Sequence, residues 1–271
     1  MKIGNREFDV NNDTYVMGIL NVTPDSFSDG GKFNNLEAAL AHTEEMIKEG
    51  ATIIDVGGES SRPGGYTLIS DEEEIGRVVP VIRAIKEKFD IPVSIDTYKS
   101  KVAKAAIAAG ADLVNDIWGL KYDKNMAKVI ADAGVACCLM HNRDNMEYTS
   151  FMDDMLADLR ETIQLAKEAG IADDKIMLDP GVGFAKSYEN NLEAIQKVGR
   201  LHELGYPVLL GTSRKSVIGL TLDTTKDERV EGTLVTTVFG VQQGCAFVRV
   251  HDVKENMRAI RMTQAICRKQ S

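Results

Sequence analysis

The chain has little of what marks secreted, membrane-spanning or nucleic-acid-binding proteins. Its four cysteines, Cys137, Cys138, Cys245 and Cys267, show no CxxC spacing. All but Cys267 sit in apolar runs, which points to buried thiols rather than disulfides or metal ligands. No apolar run approaches the roughly 20 residues needed to span a bilayer. The N-terminal MKIGNREF has no signal-peptide core, so a cytoplasmic chain is expected. Positive charge is in deficit, with 32 Lys+Arg against 41 Asp+Glu and a net charge of −9. That argues against a nucleic-acid or anionic-membrane partner, since neither polyanion would be attracted. If such a protein handles an anion, it must concentrate cations locally, and isolated basic residues at strand ends gain interest. No linker or composition break divides the chain, so one domain over residues 1–271 is expected.

What is present is a rhythm. Short β-branched runs alternate with amphipathic segments from end to end. The predicted strands are Tyr15–Leu20, Thr52–Val56, Pro92–Ile95, Asp112–Asn115, Val135–Met140, Lys175–Leu178, Pro207–Leu210 and Ala246–Val250. Helices are predicted over Asn35–Glu49, Ser70–Lys88, Ser100–Ala109, Lys124–Ala133, Phe151–Ala169, Tyr188–Leu204, Asp227–Gln243 and Val253–Arg268. Apolar spacing carries them, as in Leu156, Leu159, Ile163 and Ala166. Gly50, Gly110, Gly134, Gly170, Gly205 and Gly244 close helices just before a strand. Eight βα units in about 250 residues are the count and size of a (β/α)8 TIM barrel. A doubly wound open sheet is the rival, but no glycine-rich dinucleotide fingerprint follows any strand. In the last helix, Met257, Ile260, Met262 and Ile266 suit core or interface, and core is the expectation.

In a barrel the chemistry gathers at the carboxyl ends of the strands. Those ends carry Asn21, Gly57–Arg62, Asp96, Asn115 with Asp116, His141 with Asn142, Asp179, the Gly211–Ser216 loop, and Arg249 with His251. Any one alone reads as a cap or turn residue; eight on one rim are hard to explain by capping. Asp96, Asn115 and Asp179 suit a flat heterocycle offering several N–H donors and an acceptor. Salt bridges and a metal site are the alternatives for the two acids, and the lack of clustered His or Cys partners weakens the metal. Lys215 and Arg214 follow the seventh strand, while Arg249 and His251 alternate onto one face of the eighth. Barrels often bind phosphate there, so this acidic protein is expected to handle a diphosphate. The loop GGESSRPGG and the polar stretch after Leu20 read as two mobile flaps over the mouth.

The segments ILNVTPDSFSDGG, DVGGESSRPGG, SIDT, VNDIWG, LMHN, LDPGVGFAKS, GTSRKS and RVHDV resemble, in order and over almost the whole chain, the dihydropteroate synthases, folate-pathway enzymes that join a pterin to p-aminobenzoate. The resemblance implies that Asp96, Asn115, Asp179 and Lys215 grip a dihydropterin ring. Arg249 would lie along the ring and, with His251 and Asn21, meet the diphosphate, and Mg²⁺ would bind at Asn21. Ser61 would touch the pterin diphosphate as well as 4-aminobenzoate. Arg62, Pro63, Phe184, Lys215 and Ser216 would complete the 4-aminobenzoate pocket, with the helix start after Lys215 receiving the carboxylate. Asp96, Lys215 and Arg249 would carry the catalysis, in a homodimer that is a sulfonamide target. Two departures from the family pattern stand out: Ser61 where threonine is usual, and Ala185 where glycine is common. A corrinoid-dependent pterin methyltransferase and a barrel that only binds pterin or sugar phosphate are the competing functions. The first has no need of the Lys215, Arg249 and His251 cations, and the second none of the reactive groups.

Overall fold

Apolar runs buried on both sides, with no alternation, are what a parallel sheet covered by helices requires. In the computed structural model, which describes residues 1–23, 32–59 and 68–267, the runs form such a sheet. A small antiparallel hairpin, β1 (Lys2–Ile3) and β2 (Arg6–Glu7), comes first. The barrel strands are β3 (Tyr15–Asn21), β4 (Ile53–Gly57), β5 (Val93–Asp96), β6 (Leu113–Asp116), β7 (Ala136–Met140), β8 (Ile176–Asp179), β9 (Leu209–Leu210) and β10 (Phe247–Val250). Their order is β8-β7-β6-β5-β4-β3-β10-β9, every pairing parallel. A parallel bridge between Leu178 and Val208 joins the two edges. The eight-stranded barrel therefore closes.

Helices α1 (Lys32–Glu49), α2 (Asp71–Lys88), α3 (Ser100–Ala108), α4 (Met126–Ala133), α5 (Phe151–Glu168), α6 (Tyr188–Gln196), α8 (Val230–Gln242) and α9 (Val253–Cys267) follow the strands one by one, and a short α7 (Ser216–Leu222) precedes α8. Ser70 and Ser187 cap α2 and α6 by accepting from the backbone N–H of Glu73 and Asn190, both at 3.1 Å. The six predicted helix-closing glycines all take positive φ, between 63° and 113°, a conformation that costs other residues about 1–2 kcal/mol. Cys137, Cys138 and Cys245 are buried thiols and Cys267 is exposed, as expected.

Besides the extra short α7, three features differ from the sequence reading. The hairpin β1–β2 was not expected; it places Ile3 and Phe8 under the barrel, where Phe8 meets Tyr15 and Phe247 at ring distances of 4.9 and 5.5 Å. The sixth helix ends at Gln196, and a 3-10 segment, Val198–Leu204, continues it. In α9, Ile260 is core and Met257 packs against it, but Met262 and Ile266 are 63% and 70% exposed, so the core expectation holds for half of that set. No helix among the described residues is long and apolar enough to cross a membrane.

Candidate functional site

Side chains along a strand alternate between the barrel interior and the helix layer. Met17, Ile53, Leu113, Met177, Leu209 and Phe247 meet inside the barrel as one apolar layer. Burying such side chains stabilises the fold by roughly 1.5–3 kcal/mol each, and they form a rigid, dry floor. Two residues further along their strands stand Asp55, Asn115, Asp179 and Arg249. Asp96 joins this level because it pairs in register with Gly57 on one side and Asn115 on the other. A charged layer therefore lies one strand repeat, about 6–7 Å, above the apolar one.

Charge within the layer is paired across strands. Arg249 Nε donates to Asp55 Oδ2 and Arg249 Nη2 to Asp96 Oδ2, both at 2.6 Å. Asn115 Nδ2 donates to the same Asp55 oxygen at 3.4 Å. Asp179 Oδ1 accepts from the Gly181 N–H at 2.7 Å. Lys215 donates to the Val182 carbonyl, with its Nζ 4.9 Å from the centre of the Phe184 ring. Burial pushes the Asp96 carboxyl up to about 7, against the pull of Arg249 and with the push of Asp55. Burial also raises Asp179, against the pull of Lys215, and brings the Lys215 ammonium down to about 8, against the pull of Asp179. Each group is tuned towards neutrality, which is how a dry site readies acids and bases for work near pH 7.

A cavity of about 330 Å³ opens above this layer. Asn21, Asp96, Asn115, Asp179, Phe184, Lys215, Ser216, Arg249 and His251 all line it. The predicted residues thus converge from six of the eight strand ends or their loops. Ser61, Arg62 and Pro63, with most of the polar stretch after Thr23, lie outside the described residues. At the cation-rich end, His251 and Ser213 are joined, Ser213 Oγ lying 3.0 Å from His251 Nδ1. Burial and the nearby Arg249 charge push the His251 imidazole down to about 3, so it is neutral. Arg214, Lys226 and Arg229 complete the wall.

Asp116, His141 and Asn142 of the rim do not enter the cavity. Asp116 turns away, and its carboxylate accepts from the backbone N–H groups of Trp118 and Leu120 at 2.9 and 2.7 Å. His141 is buried behind the site, between Asp158 (Nε2 to Oδ2, 2.8 Å) and the Lys186 ammonium (2.9 Å from Nδ1). Lys186 donates to Nδ1, so the ring proton sits on Nε2. Lys186 also donates to the Phe184 carbonyl at 2.9 Å, and Tyr148 to that of Ala185, also at 2.9 Å. These bonds fix the Phe184 loop. Ala185 stands at φ +45°, a left-handed position that explains why glycine suits it. Sequence reasoning missed Asp55, Lys186 and Arg229. The signal for Asp55 was present: one charge inside the apolar run IIDVGG.

The family model of pterin binding enzymes matches residues 17–251. The chain is also 64% identical to the dihydropteroate synthase of Clostridium beijerinckii, over 99% of its own length and all of the relative's. It belongs to the dihydropteroate synthase family. The Bacillus subtilis member is 53% identical, covering 94% of this chain and 90% of that one. Among solved structures, the family enzyme of Clostridium difficile, crystallised in the presence of pteroic acid, superposes with a TM-score of 0.94 at 52% identity, covering 97% of this chain and 100% of the other. The Xanthomonas albilineans enzyme in complex with 7,8-dihydropteroate gives 0.87 at 39% identity, with 94% of each chain covered.

Proposed function

We propose that this cavity joins (7,8-dihydropterin-6-yl)methyl diphosphate to 4-aminobenzoate, giving 7,8-dihydropteroate and diphosphate, the reaction that names its family. One observation carries the reading: Asp96, Asn115, Asp179 and Lys215 converge from four strand ends or loops on one cavity whose far wall holds Arg214, Lys226 and Arg229 beside His251. Acceptors on the floor suit the N–H edge of a pterin, and cations on the wall suit a diphosphate. Asp179 and Asn115 grip the amino-pyrimidine edge, with Lys215 donating to a ring acceptor. The methylene C–O bond breaks first, and diphosphate leaves with the electron pair towards the side of the cavity that holds His251 and Arg214. Positive charge then spreads from the methylene into the ring, where the fixed Asp96 carboxylate stabilises it. The amine of 4-aminobenzoate attacks the methylene, the C–N bond forms, and the proton the amine loses goes to the released diphosphate or to water. Phe184, Lys215 and Ser216, with Ser61, Arg62 and Pro63, form the pocket that holds 4-aminobenzoate, and a sulfonamide of similar shape competes there.

Mg²⁺ is part of the proposal. Among the described residues, no group of three or more His, Cys, Asp or Glu side chains could hold a metal. A single neutral oxygen, Asn21 Oδ1, together with the oxygens of the diphosphate, fits a hard ion that shares its shell with substrate phosphates. When bound there, Mg²⁺ would neutralise charge on the leaving group. We further place the enzyme in the cytoplasm, as one domain that pairs through α8 and α9. Val235 and Phe239 on α8 and Met262 and Ile266 on α9 are 44–70% exposed and support such a face. Incubating the two substrates with and without Mg²⁺ and measuring dihydropteroate and diphosphate tests the reading. Diphosphate release that depends on 4-aminobenzoate is expected. Tight pterin binding without turnover would favour a binding protein instead.

A further inference from the structure

Asp55 lies beneath the site and takes no part in the contacts assigned above to substrate. It is fully buried and sits mid-strand in β4, directly after the apolar layer to which Ile53 belongs. A buried carboxylate is unfavourable unless paired, and an apolar residue of similar volume would avoid that cost. Packing therefore gives no reason for an acid at this position. Its hydrogen bonds do. Asp55 Oδ2 accepts from Arg249 of β10 at 2.6 Å and from Asn115 of β6 at 3.4 Å, while its Oδ1 has no hydrogen-bond partner among the described residues. Arg249 reaches Asp96 of β5 with its other arm at 2.6 Å. The guanidinium is thus split between two carboxylates, one hydrogen bond to each.

We propose that Asp55 is a positioning residue of the pterin site, one that divides the hydrogen bonds of Arg249 and thereby keeps Asp96 from being captured by it. Arginine facing a single carboxylate closes a two-pronged fork, because both N–H vectors match both oxygens. Without Asp55, Arg249 swings fully onto Asp96 and occupies both of its oxygens. Asp96 then has no oxygen to offer a ring N–H, although every residue lining the cavity is intact. Asp55 acts mostly through Arg249, since its bond to Asn115 is long. The inference rests on the pterin reading above.

A double-mutant cycle separates the two ideas. Binding of the pterin diphosphate is measured by calorimetry for wild type, Asp55→Asn, Arg249→Ala and the double variant. Asp55→Asn is expected to weaken binding about tenfold in the wild-type background and by less than about twofold once Arg249 is gone. Equal losses in both backgrounds, or wild-type affinity in Asp55→Asn, would overturn the inference while leaving the functional reading intact. Failure of the wild type to bind the pterin diphosphate overturns the functional reading, and this inference with it. Melting temperature gives a second reading should Asp55→Asn alone fail to fold. Arg249→Ala strands two buried carboxylates, so it melts below the double variant, in which one of them is neutral. A double variant that melts no higher than Arg249→Ala contradicts the pairing.

Discussion

Asp179→Asn isolates the charge of one carboxylate with almost no change of shape. Asp179 ends β8 and is buried, with Oδ1 held by the Gly181 N–H. Its Oδ2 faces the gap beside Gly211, 3.4 Å from where a β-carbon there would lie. Asparagine keeps one oxygen, and the Gly181 N–H takes it. The cavity then meets an –NH₂ where the pterin edge brings donors of its own. Losing one charge-assisted bond costs about 1.5–3 kcal/mol, and a donor left unpaired against another adds about 1–3 kcal/mol. The sum is about 2.5–6 kcal/mol, so affinity for the pterin diphosphate falls at least about fiftyfold. The fold bears no comparable cost. Burial raises the native carboxyl of Asp179, so its ionised form already opposes folding. That opposition is present above the raised native pKa and fades as pH falls towards the unfolded value. The variant should therefore melt no lower than wild type at pH 8, with any advantage shrinking in acid. Calorimetric titration beside thermal melts checks both halves. A folded variant that binds the pterin diphosphate as wild type does would refute the assigned role, and one that unfolds readily would show Asp179 to be mainly a loop cap.

Three further outcomes are expected. Asp96→Asn should lower kcat on the order of a hundredfold with a smaller loss of pterin affinity, and equal losses in steady-state and binding measurements would point to simple binding. Asn21→Ala should weaken use of 4-aminobenzoate on the order of tenfold if, as proposed, that substrate binds after the pterin diphosphate and Mg²⁺; tight 4-aminobenzoate binding to pterin-free, metal-free protein would break this order. Burial pushes His141 down to about 4, so its contribution to stability is intact above pH 6.5 and is lost as pH falls towards 4. The stability gap between wild type and His141→Gln should therefore shift against wild type by up to about 3 kcal/mol between pH 7 and 4, and a pH-independent gap in denaturant titrations would contradict it.

Strand order, barrel closure and most of the cavity lining were legible because each rests on local signals. Buried parallel strands announce themselves as apolar runs, and their ends are marked by the first polar residue. The misses have physical reasons. SVIGLTL is too short for helical periodicity to show, so α7 escaped although its start after Lys215 was recognised. The strands of the N-terminal hairpin are two residues each. Asp55 escaped because attention fell on strand ends, while it stands two residues before one. Period-two alternation could have sorted the rim: Asn115 and Met140 line the cavity, so Asp116 and His141, each the next residue, turn the other way. Lys186 carried no such mark, because its role comes from a fold-dependent meeting with His141 of another strand.

On the proposed reading, the same geometry gives a substrate one direction of entry. On the floor, Asp55, Asp96 and Asp179 face the two cations Arg249 and Lys215, so carboxylates are in excess. On the side of the β9 and β10 loops the balance reverses, with Arg214, Lys226 and Arg229 lining the wall. Arg214 is itself held by Asp252, through Nε to Oδ2 at 3.0 Å and a second bond from Nη2. A molecule with N–H donors at one end and an anion at the other meets complementary charge in one orientation only. Reversed, the diphosphate would face Asp96 and Asp179 in a site shielded from water, where like charges at short range cost several kcal/mol. The net charge of −9 acts in the same sense over a longer range. It opposes anions everywhere except where cations are gathered, so a leaving diphosphate would be drawn to the loops rather than to the floor. On the proposed reading, orientation is thus set by the contrast between floor and wall, and the methylene would lie between the two regions, where a bond to the leaving group could break without moving the ring.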